Sequence, residues 1–205
     1  MRILFMGTPD IAAESLNALI TAGHYICAVF TRADKPVGRK QILTAPPVKQ
    51  TAEANGIPVY QPRTLRDGSS DELIKSLAPD IIVVVAYGCI IPPQLLHVAK
   101  YGCINLHVSL LPKYRGSAPI QWAVLNGDAE TGVTIMQLDE GLDTGDILYV
   151  QPVAIDPDMT SGACVRPAAS RACFILQSIL SPFILYPLSF EWQGISLINL
   201  QFLLQ

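Results

Sequence analysis

The sequence has few charged residues and no excess of positive charge. Only 15% of its 205 residues are Asp, Glu, Lys or Arg, and the formal net charge is −3. An overall basic field for binding nucleic acid is therefore absent, so any such contact must depend on a local group of basic side chains. Half of the residues are apolar, which predicts a globular chain and excludes a disordered one.

The glycine motifs that bind dinucleotides and nucleoside triphosphates are also missing. The first apolar run, Arg2 to Met6, ends in Gly7-Thr8-Pro9, which matches neither G-x-G-x-x-G nor G-x-x-x-x-G-K. The sequence thus gives no support for a nicotinamide cofactor or a nucleoside triphosphate site.

Metal-ligand spacing of cysteines and a secretory N-terminus are lacking as well. The cysteines are scattered, mostly in apolar runs: Cys27, Cys89, Cys103, Cys164 and Cys173. This pattern favours reduced thiols in the core of a cytoplasmic protein over disulfides or metal ligands. No basic region followed by a long apolar stretch opens the sequence, so we expect no signal peptide.

Short β-rich runs alternate with helical stretches up to about residue 155. Strands are predicted over Arg2–Met6, Ile26–Thr31, Ile57–Tyr60, Ile81–Ala86 and Cys103–His107. Helices are predicted from Asp10 to Gly23, over Pro47–Ala54, from Ser69 or Ser70 through Leu77, and from Pro92 to near Gly102. Parallel strands need helical crossovers, so the alternation predicts an α/β fold with a doubly wound, mostly parallel sheet.

Chemistry is expected in the loops that follow the strands. In a doubly wound sheet the ligand binds beyond the carboxyl ends of the strands, where the strand order reverses. Four segments are predicted to lie there: Gly7-Thr8-Pro9, Tyr87-Gly88, Asn105 to Pro112, and Asp139 to Asp146.

Asn105 and His107 belong to the densest polar cluster, Asn105-Leu106-His107-Val108-Ser109. The period-two alternation of a strand places the two side chains on the same side. An amide that donates to a developing oxyanion and an imidazole that holds a transferable proton can both address one small carbonyl group. The residues alone leave a second interpretation open, in which both side chains only cap the strand end.

The acidic loop from Leu138 to Asp146 supplies a third candidate, Asp143. This residue follows the apolar Leu142 and precedes Thr-Gly, which suits a tight, partly buried turn. A carboxylate beside an imidazole fixes its tautomer and keeps it protonated. The spacing does not fit a calcium-binding loop, and Asp139 and Glu140 are expected to be solvated turn residues.

These motifs resemble those of a known family. The run Asn105–Pro112, followed by Lys113-Tyr114-Arg115-Gly116, resembles the N-x-H-x-S-L-L-P signature of the 10-formyltetrahydrofolate-dependent formyltransferases. Leu142-Asp143-Thr144-Gly145 is similar to the loop that holds their catalytic aspartate. Other segments resemble the branch that acts on methionyl-tRNA: Phe5–Pro9, Thr31–Arg39, Pro46–Lys49, Ser117–Gln121 and Gly132–Met136. The resemblance covers roughly residues 1 to 162 and implies a Rossmann-like fold.

The resemblance implies formyl transfer from 10-formyltetrahydrofolate to the amine of methionyl initiator tRNA, in translation initiation. Asn105 and His107 would polarise the formyl carbonyl and stabilise the tetrahedral intermediate. Asp143 would hold His107 charged and help to remove the proton of the attacking amine. The remaining expected folate contacts are Ser109, Leu110, Leu111 and Pro112, with the backbone of Ala86, Tyr87 and Gly88 facing the pterin ring. No metal and no membrane contact are implied, and we expect a monomer.

The insertion that resembles the tRNA-dependent branch is basic. Its cationic residues are Arg32, Lys35, Arg39 and Lys40, with Lys49 beyond it. A mobile basic loop is what an acidic protein needs for phosphate contacts with tRNA. The alternative is an ordinary solvated surface loop.

The sequence changes character after about residue 162. Ala163 to Gln205 contains three charged residues and shows no helical period or strand alternation. We therefore expect a catalytic domain of residues 1–162 and an atypical apolar tail of residues 163–205 that packs only in part, exposes apolar surface and contributes nothing to catalysis. The family's C-terminal tRNA-binding barrel is expected to be absent, and the abrupt change resembles a reading-frame change. Two prolines within Ala172–Phe190 argue against a membrane span there.

Two other functions remain open on the sequence alone. One is formyl transfer to a small amine or an amino sugar nucleotide, which the basic insertion argues against. The other is a non-catalytic folate-binding remnant, in which the tail prevents turnover.

Overall fold

One mixed sheet with helices on both faces forms the centre of the molecule. The computed structural model describes residues 1–164 and residues 167, 170, 174, 176 and 180. In chain order the elements are β1 (Arg2–Gly7), α1 (Asp10–Thr21), β2 (Tyr25–Phe30), β3 (Lys35–Val37), β4 (Ile42–Thr44), α2 (Pro47–Ala54), β5 (Val59–Tyr60), α3 (Asp71–Ser76), β6 (Ile81–Val85), α4 (Pro93–Leu96), β7 (Cys103–His107), α5 (Pro119–Leu125), β8 (Glu130–Gln137) and β9 (Ile147–Ala154).

The seven strands of the sheet lie in the order β5-β2-β1-β6-β7-β8-β9. The pairs from β5 to β7 are parallel, whereas β8 and β9 are antiparallel to their neighbours. From β1 the chain moves outward to β2 and β5, then returns to β6 on the other side of β1. The strand order therefore reverses between β1 and β6, and the predicted doubly wound, mostly parallel sheet is confirmed.

The central strands are apolar without alternation because both faces of the sheet are covered. In β1, Ile3 and Phe5 pack in the cluster that contains the buried side chains of α1 and α2. Leu4 and Met6 pack in the opposite cluster, with Ile74 of α3 and the leucines of α4. All four β1 side chains are fully buried. This is the pattern expected for a parallel strand between two helical layers.

Parts of the fold differ from the sequence-based prediction. The short β3–β4 hairpin, α5 and the antiparallel strands β8 and β9 were not predicted. Every residue of β3 and β4 is exposed, so these strands carry no hydrophobic alternation that could reveal them. Helix α4 has four residues and ends before His97, well short of the predicted end near Gly102.

Three of the cysteines are buried as free thiols: Cys27, Cys103 and Cys164. Burial raises the pKa of Cys103 to about 12, so this thiol stays protonated and unreactive in the core. Cys89 is half-buried, and Cys173 lies outside the described residues.

The described residues after 162 contradict part of the tail prediction. Residues 161–164, 167, 170, 174, 176 and 180 are helical. Cys164, Leu176 and Leu180 are fully buried in the same cluster as α1 and α2. The expectation that this stretch offers no helical face is wrong for these residues, because apolar residues at most other positions of the sequence hide the period. The burial of these three side chains agrees with the expectation that the tail packs in part. Residues 181–205 lie outside the described part, and a domain boundary at 162 stays a prediction.

No helix within the described residues is long and apolar enough to cross a membrane. Apart from Phe174, Leu176 and Leu180, the apolar stretch Ala172–Phe190 lies outside those residues.

The buried position of Leu176 gives a direct test of this helical segment. Leu176→Ala should lower the free energy of unfolding by about 2–5 kcal/mol, because it leaves a cavity in the core. Leu125→Ala is the matched control, since Leu125 is 74% exposed on α5, and it should change stability by less than about 0.5 kcal/mol. Urea denaturation of both variants measures the difference. Equal effects would show that residues after 162 do not belong to the core.

Candidate active site

Asn105 and His107 lie two residues apart on β7, so the strand directs both side chains to the same side of the sheet. Between them, Leu106 points into the core and is buried. The His107 side chain is only 7% exposed, whereas Asn105 is half-buried. The predicted juxtaposition of the amide and the imidazole is therefore present in the structure.

The carboxylate of Asp143 joins these two side chains. Its Oδ1 lies 3.4 Å from the Asn105 Nδ2 donor, and its Oδ2 lies 3.6 Å from Nδ1 of His107. Oδ2 also accepts a hydrogen bond of 2.7 Å from the backbone N–H of Gly116. Asp143 has a φ of 51°, a left-handed conformation that Asp tolerates better than most residues. The structure thus brings together the three residues predicted to be catalytic.

Both ring nitrogens of His107 face acceptors. Nε2 lies 2.9 Å from the carbonyl oxygen of Tyr114, and a carbonyl can only accept, so Nε2 carries a proton in this arrangement. Nδ1 faces the Asp143 carboxylate. A ring protonated on both nitrogens would therefore have an acceptor on each side.

Sequence reasoning missed the contributions of Tyr114 and Gly116. Tyr114 contributes its backbone carbonyl and Gly116 its backbone N–H. Every residue has a carbonyl and every residue except proline has an N–H, so the residue type does not reveal either contribution. The one local signal is conformational: Tyr114 and Gly116 have φ values of 56° and 89°, and glycine is the residue best suited to such a turn.

Thr134 on β8 was also missed. Its hydroxyl donates to the Ser109 carbonyl at 2.7 Å and accepts from the backbone N–H of Leu111 at 3.2 Å. The register of the sheet sets Thr134 opposite His107, which explains why it reaches the following loop. The Ser109 hydroxyl donates to the Lys113 carbonyl at 2.7 Å, so it holds the turn rather than facing outward.

The loops after β1 and β6 meet as predicted, because the Thr8 hydroxyl donates to the Tyr87 carbonyl at 2.8 Å. Ala86 and Gly88 have φ values of 45° and 78°, so the backbone turns sharply there. Burial is the main cause that raises the pKa of Tyr87, whose ring is almost fully enclosed. This loop is therefore fixed by buried groups rather than by surface contacts.

The acidic loop reaches the site from an unexpected direction. Because β8 is antiparallel to β7, the loop does not leave from the carboxyl edge, and that prediction was wrong. The backbone N–H of Leu138 bonds the carbonyl of Cys103, at the start of β7, and Asp143 lies farther along that strand. Asp139 holds the loop together by accepting from Gly141 N–H at 3.0 Å and from the Thr144 hydroxyl at 2.8 Å.

Two cavities lie near this loop. One of about 310 Å³ is lined by residues 96, 97, 137–140 and 144–146. Another of about 400 Å³ is lined by residues 81, 97, 99–102, 104, 137, 148 and 180. Neither is lined by Ser109–Pro112 or by Ala86–Gly88, so folate contacts by those residues stay a prediction. In the described part of the chain, no group of three or more His, Cys, Asp or Glu side chains could hold a metal ion.

The structure separates the five basic residues into two groups. Lys35, Arg39 and Lys40 are exposed on the β3–β4 hairpin. At its base, the Arg32 guanidinium donates to the Arg63 carbonyl at 3.0 Å and to the Cys89 thiol. Lys49, also at the base, contacts the Asp34 carboxylate at 2.9 Å.

A family model described as formyl transferase matches residues 1–172. Over 162 residues the chain is 57% identical to a methionyl-tRNA formyltransferase of Pelotomaculum thermopropionicum and 54% identical to one of Clostridioides difficile. Each alignment covers 79% of this chain and 52% of the relative. The chain thus spans about half the length of the curated relatives it matches.

Solved structures share the fold at lower identity. A phosphoribosylglycinamide formyltransferase from Bacillus halodurans has a TM-score of 0.75 at 23% identity, covering 93% of this chain and all of the other. One from Streptococcus pneumoniae has a TM-score of 0.74 at 19% identity, covering 89% of this chain and 98% of the other. These likenesses show the Rossmann-like formyltransferase fold.

The role of Thr134 can be tested by the stability of the protein. Thr134→Val leaves the buried N–H of Leu111 and carbonyl of Ser109 unpaired, which should cost about 1–3 kcal/mol of unfolding free energy. Thr131→Val is a matched control on the same strand. The Thr131 hydroxyl is buried and has no hydrogen-bond partner among the described residues, so its removal should be neutral or stabilising. Chemical denaturation distinguishes the two, and equal losses would rule out the bridging role.

Proposed function

The chain belongs to the formyl transferase family, and we propose that it transfers a formyl group from 10-formyltetrahydrofolate to the α-amine of methionyl-tRNA. The proposal rests on one observation: the Asp143 carboxylate lies 3.4 Å from the side-chain nitrogen of Asn105 and 3.6 Å from Nδ1 of His107. The family model and the relatives at 50% identity or more support it. A cytoplasmic monomer that acts in translation initiation is part of the same proposal.

The proposed reaction needs stabilisation of one negative charge. The amine nitrogen attacks the formyl carbon, and the carbonyl electrons move to the oxygen. N–H groups of Asn105 and His107 can donate to that oxyanion once they turn from their present acceptors, the Asp143 carboxylate and the Tyr114 carbonyl. The oxyanion then re-forms the carbonyl as the bond from the formyl carbon to the folate nitrogen breaks, and that nitrogen takes up the proton that the amine loses.

Asp143 is placed to handle the proton that the amine loses. Its side chain is 10% exposed, and it is held by the Gly116 N–H, so its position does not depend on the substrate. A carboxylate held in this way can accept the proton directly or keep the His107 ring charged as the intermediate forms. No serine or cysteine nucleophile takes part in the proposal.

The cavity of about 310 Å³ suits the pterin end of the folate. It is at the lower end of the range of about 300–1,000 Å³ for small-molecule sites. Leu96 and Leu138 supply apolar walls for a flat ring, and Glu140 supplies a carboxylate for its N–H groups. We retain the backbone of Ala86–Gly88 as a proposed contact with the pterin ring from outside this cavity lining, and Ser109–Pro112 as proposed contacts along the rest of the ligand.

Contact with tRNA is assigned to the β3–β4 hairpin, and Arg32 at its base is retained as a further proposed contact. Lys35, Arg39 and Lys40 are exposed there on an otherwise acidic protein. Local positive charge of this kind provides the phosphate contacts that an overall basic field would otherwise supply. The methionyl initiator tRNA is the proposed partner because the relatives are named for methionyl-tRNA.

Asp143→Asn should lower turnover with methionyl-tRNA by ~10²- to 10⁴-fold, the usual range for an acid–base group. Formation of formylmethionyl-tRNA by the purified chain measures this loss. Folate-analogue binding should be retained, because the amide has nearly the same shape. Asp156→Asn removes the same charge from an exposed turn and serves as the control. Turnover of Asp143→Asn within a few-fold of the parent would remove Asp143 from the mechanism.

Replacing Arg39 and Lys40 together by Ala should weaken tRNA binding and flatten its salt dependence. Each lost phosphate contact reduces the log–log salt slope by roughly one unit. Replacing Lys75 and Lys100, which are exposed elsewhere, removes the same charge and should leave the slope unchanged. Binding titrations over a range of salt concentrations provide the measurement. An unaltered slope in the Arg39 and Lys40 variant would show the hairpin to be ordinary surface.

A further inference from the structure

Lys49 is half-buried and paired with neighbouring side chains rather than fully presented to solvent. Its Nζ donates to both oxygens of Asp34, each at 2.9 Å, and to the side-chain oxygen of Gln61 at 3.2 Å. The side chains of Lys49 and Asp34 are only 19% and 26% exposed. A cation with three acceptors in place has little capacity left for a phosphate.

Gln61 completes the arrangement. Its side-chain N–H groups donate to Oδ1 of Asp34 at 2.8 Å and to the backbone carbonyl of Arg32 at 2.7 Å. Gln61 directly follows β5, at the edge of the sheet. The three side chains therefore form a closed set of hydrogen bonds that is anchored to the main chain.

This set of contacts spans the base of the basic hairpin. Asp34 immediately precedes β3, whereas Lys49 lies on α2, shortly after β4. The hydrogen bonds described for side chains within the hairpin, from Gln41 and Thr44, remain inside it. All residues of both strands are exposed, so burial in the core does not orient the hairpin. Its direction is set where it leaves and rejoins the domain.

We propose that Asp34, Lys49 and Gln61 form a clamp that positions the β3–β4 hairpin for tRNA, and that Lys49 does not contact phosphate. This inference rests on the proposed function only in one respect, which is that tRNA is the partner of the hairpin. It replaces the assignment of Lys49 as a tRNA contact, while Lys35, Arg39 and Lys40 keep that role.

The charges within the clamp support one another. The hydrogen bond from Gln61, followed by that from Lys49, holds the pKa of Asp34 below its usual value. The Asp34 carboxylate in turn raises the pKa of Lys49. Both groups therefore remain charged near neutral pH, and the ion pair is maintained.

The first part of the test needs no tRNA. Limited trypsin digestion of the full chain after Arg39 and Lys40 reports how firmly the hairpin is held. Lys49→Met and Asp34→Asn should each speed this cleavage by about twofold to fivefold, consistent with loss of a partly exposed ion pair. Glu14→Gln removes an exposed charge from α1, makes no described contact with the clamp, and should cleave at the parental rate. If trypsin cleaved all three variants at the parental rate, the proposed clamp would be refuted.

The second part separates positioning from direct contact. Lys49→Met should weaken tRNA binding by about threefold to tenfold with an unchanged salt slope, because no phosphate contact is lost. Asp34→Asn should weaken binding by a similar factor, and the double variant should be no worse than either single one. If Lys49 bound phosphate, Lys49→Met would flatten the slope, and Asp34→Asn would strengthen binding by removing a nearby negative charge.

The outcomes distinguish this inference from the proposed function. A parent chain that does not bind tRNA, together with faster cleavage of the clamp variants, would refute the proposed function and leave the clamp in place. A flattened slope in Lys49→Met, or tighter binding by Asp34→Asn, would refute the clamp alone. Lys49→Arg, which can keep the pair, should restore both cleavage and binding toward parental values.

Discussion

The carboxylate of Asp143 is the point on which the site depends. It is approached by an amide on β7, by the imidazole two residues later, and by a backbone N–H from the loop that follows. The amide and the imidazole lie on one strand and the backbone N–H lies in the loop after it, whereas Asp143 comes from the loop after β8. Because β8 is antiparallel to β7, the acidic loop starts beside the beginning of β7, and Asp143 reaches Asn105 and His107 farther along that strand.

Much of the sheet was predictable because the central strands are buried on both faces. The runs at β1 and β6 are continuously apolar, and only a parallel strand between two helical layers requires that. The hairpin and the antiparallel edge were not predictable in this way. In β9, several side chains are exposed and Pro152 interrupts the apolar run, so the local sequence pattern does not predict a strand.

The site was predictable to the extent that it depends on side-chain chemistry. Asn105, His107 and Asp143 are recognisable because an amide, an imidazole and a carboxylate at those positions suit carbonyl chemistry. Tyr114 and Gly116 contribute backbone atoms, and these carry no residue-specific signal. Charge alone also could not show that Lys49 is paired, because the sequence does not reveal that Asp34 lies 2.9 Å away.

The exposure of the β3–β4 hairpin has a consequence for how specificity can evolve. Its strands contribute no buried side chain, so substitutions there escape the packing constraints that govern the core. Under the proposed function, a lineage could exchange the hairpin for another sequence, and so bind a different acceptor, without refolding the domain or altering Asn105, His107 and Asp143. Recognition and chemistry would then diverge at independent rates within one protein.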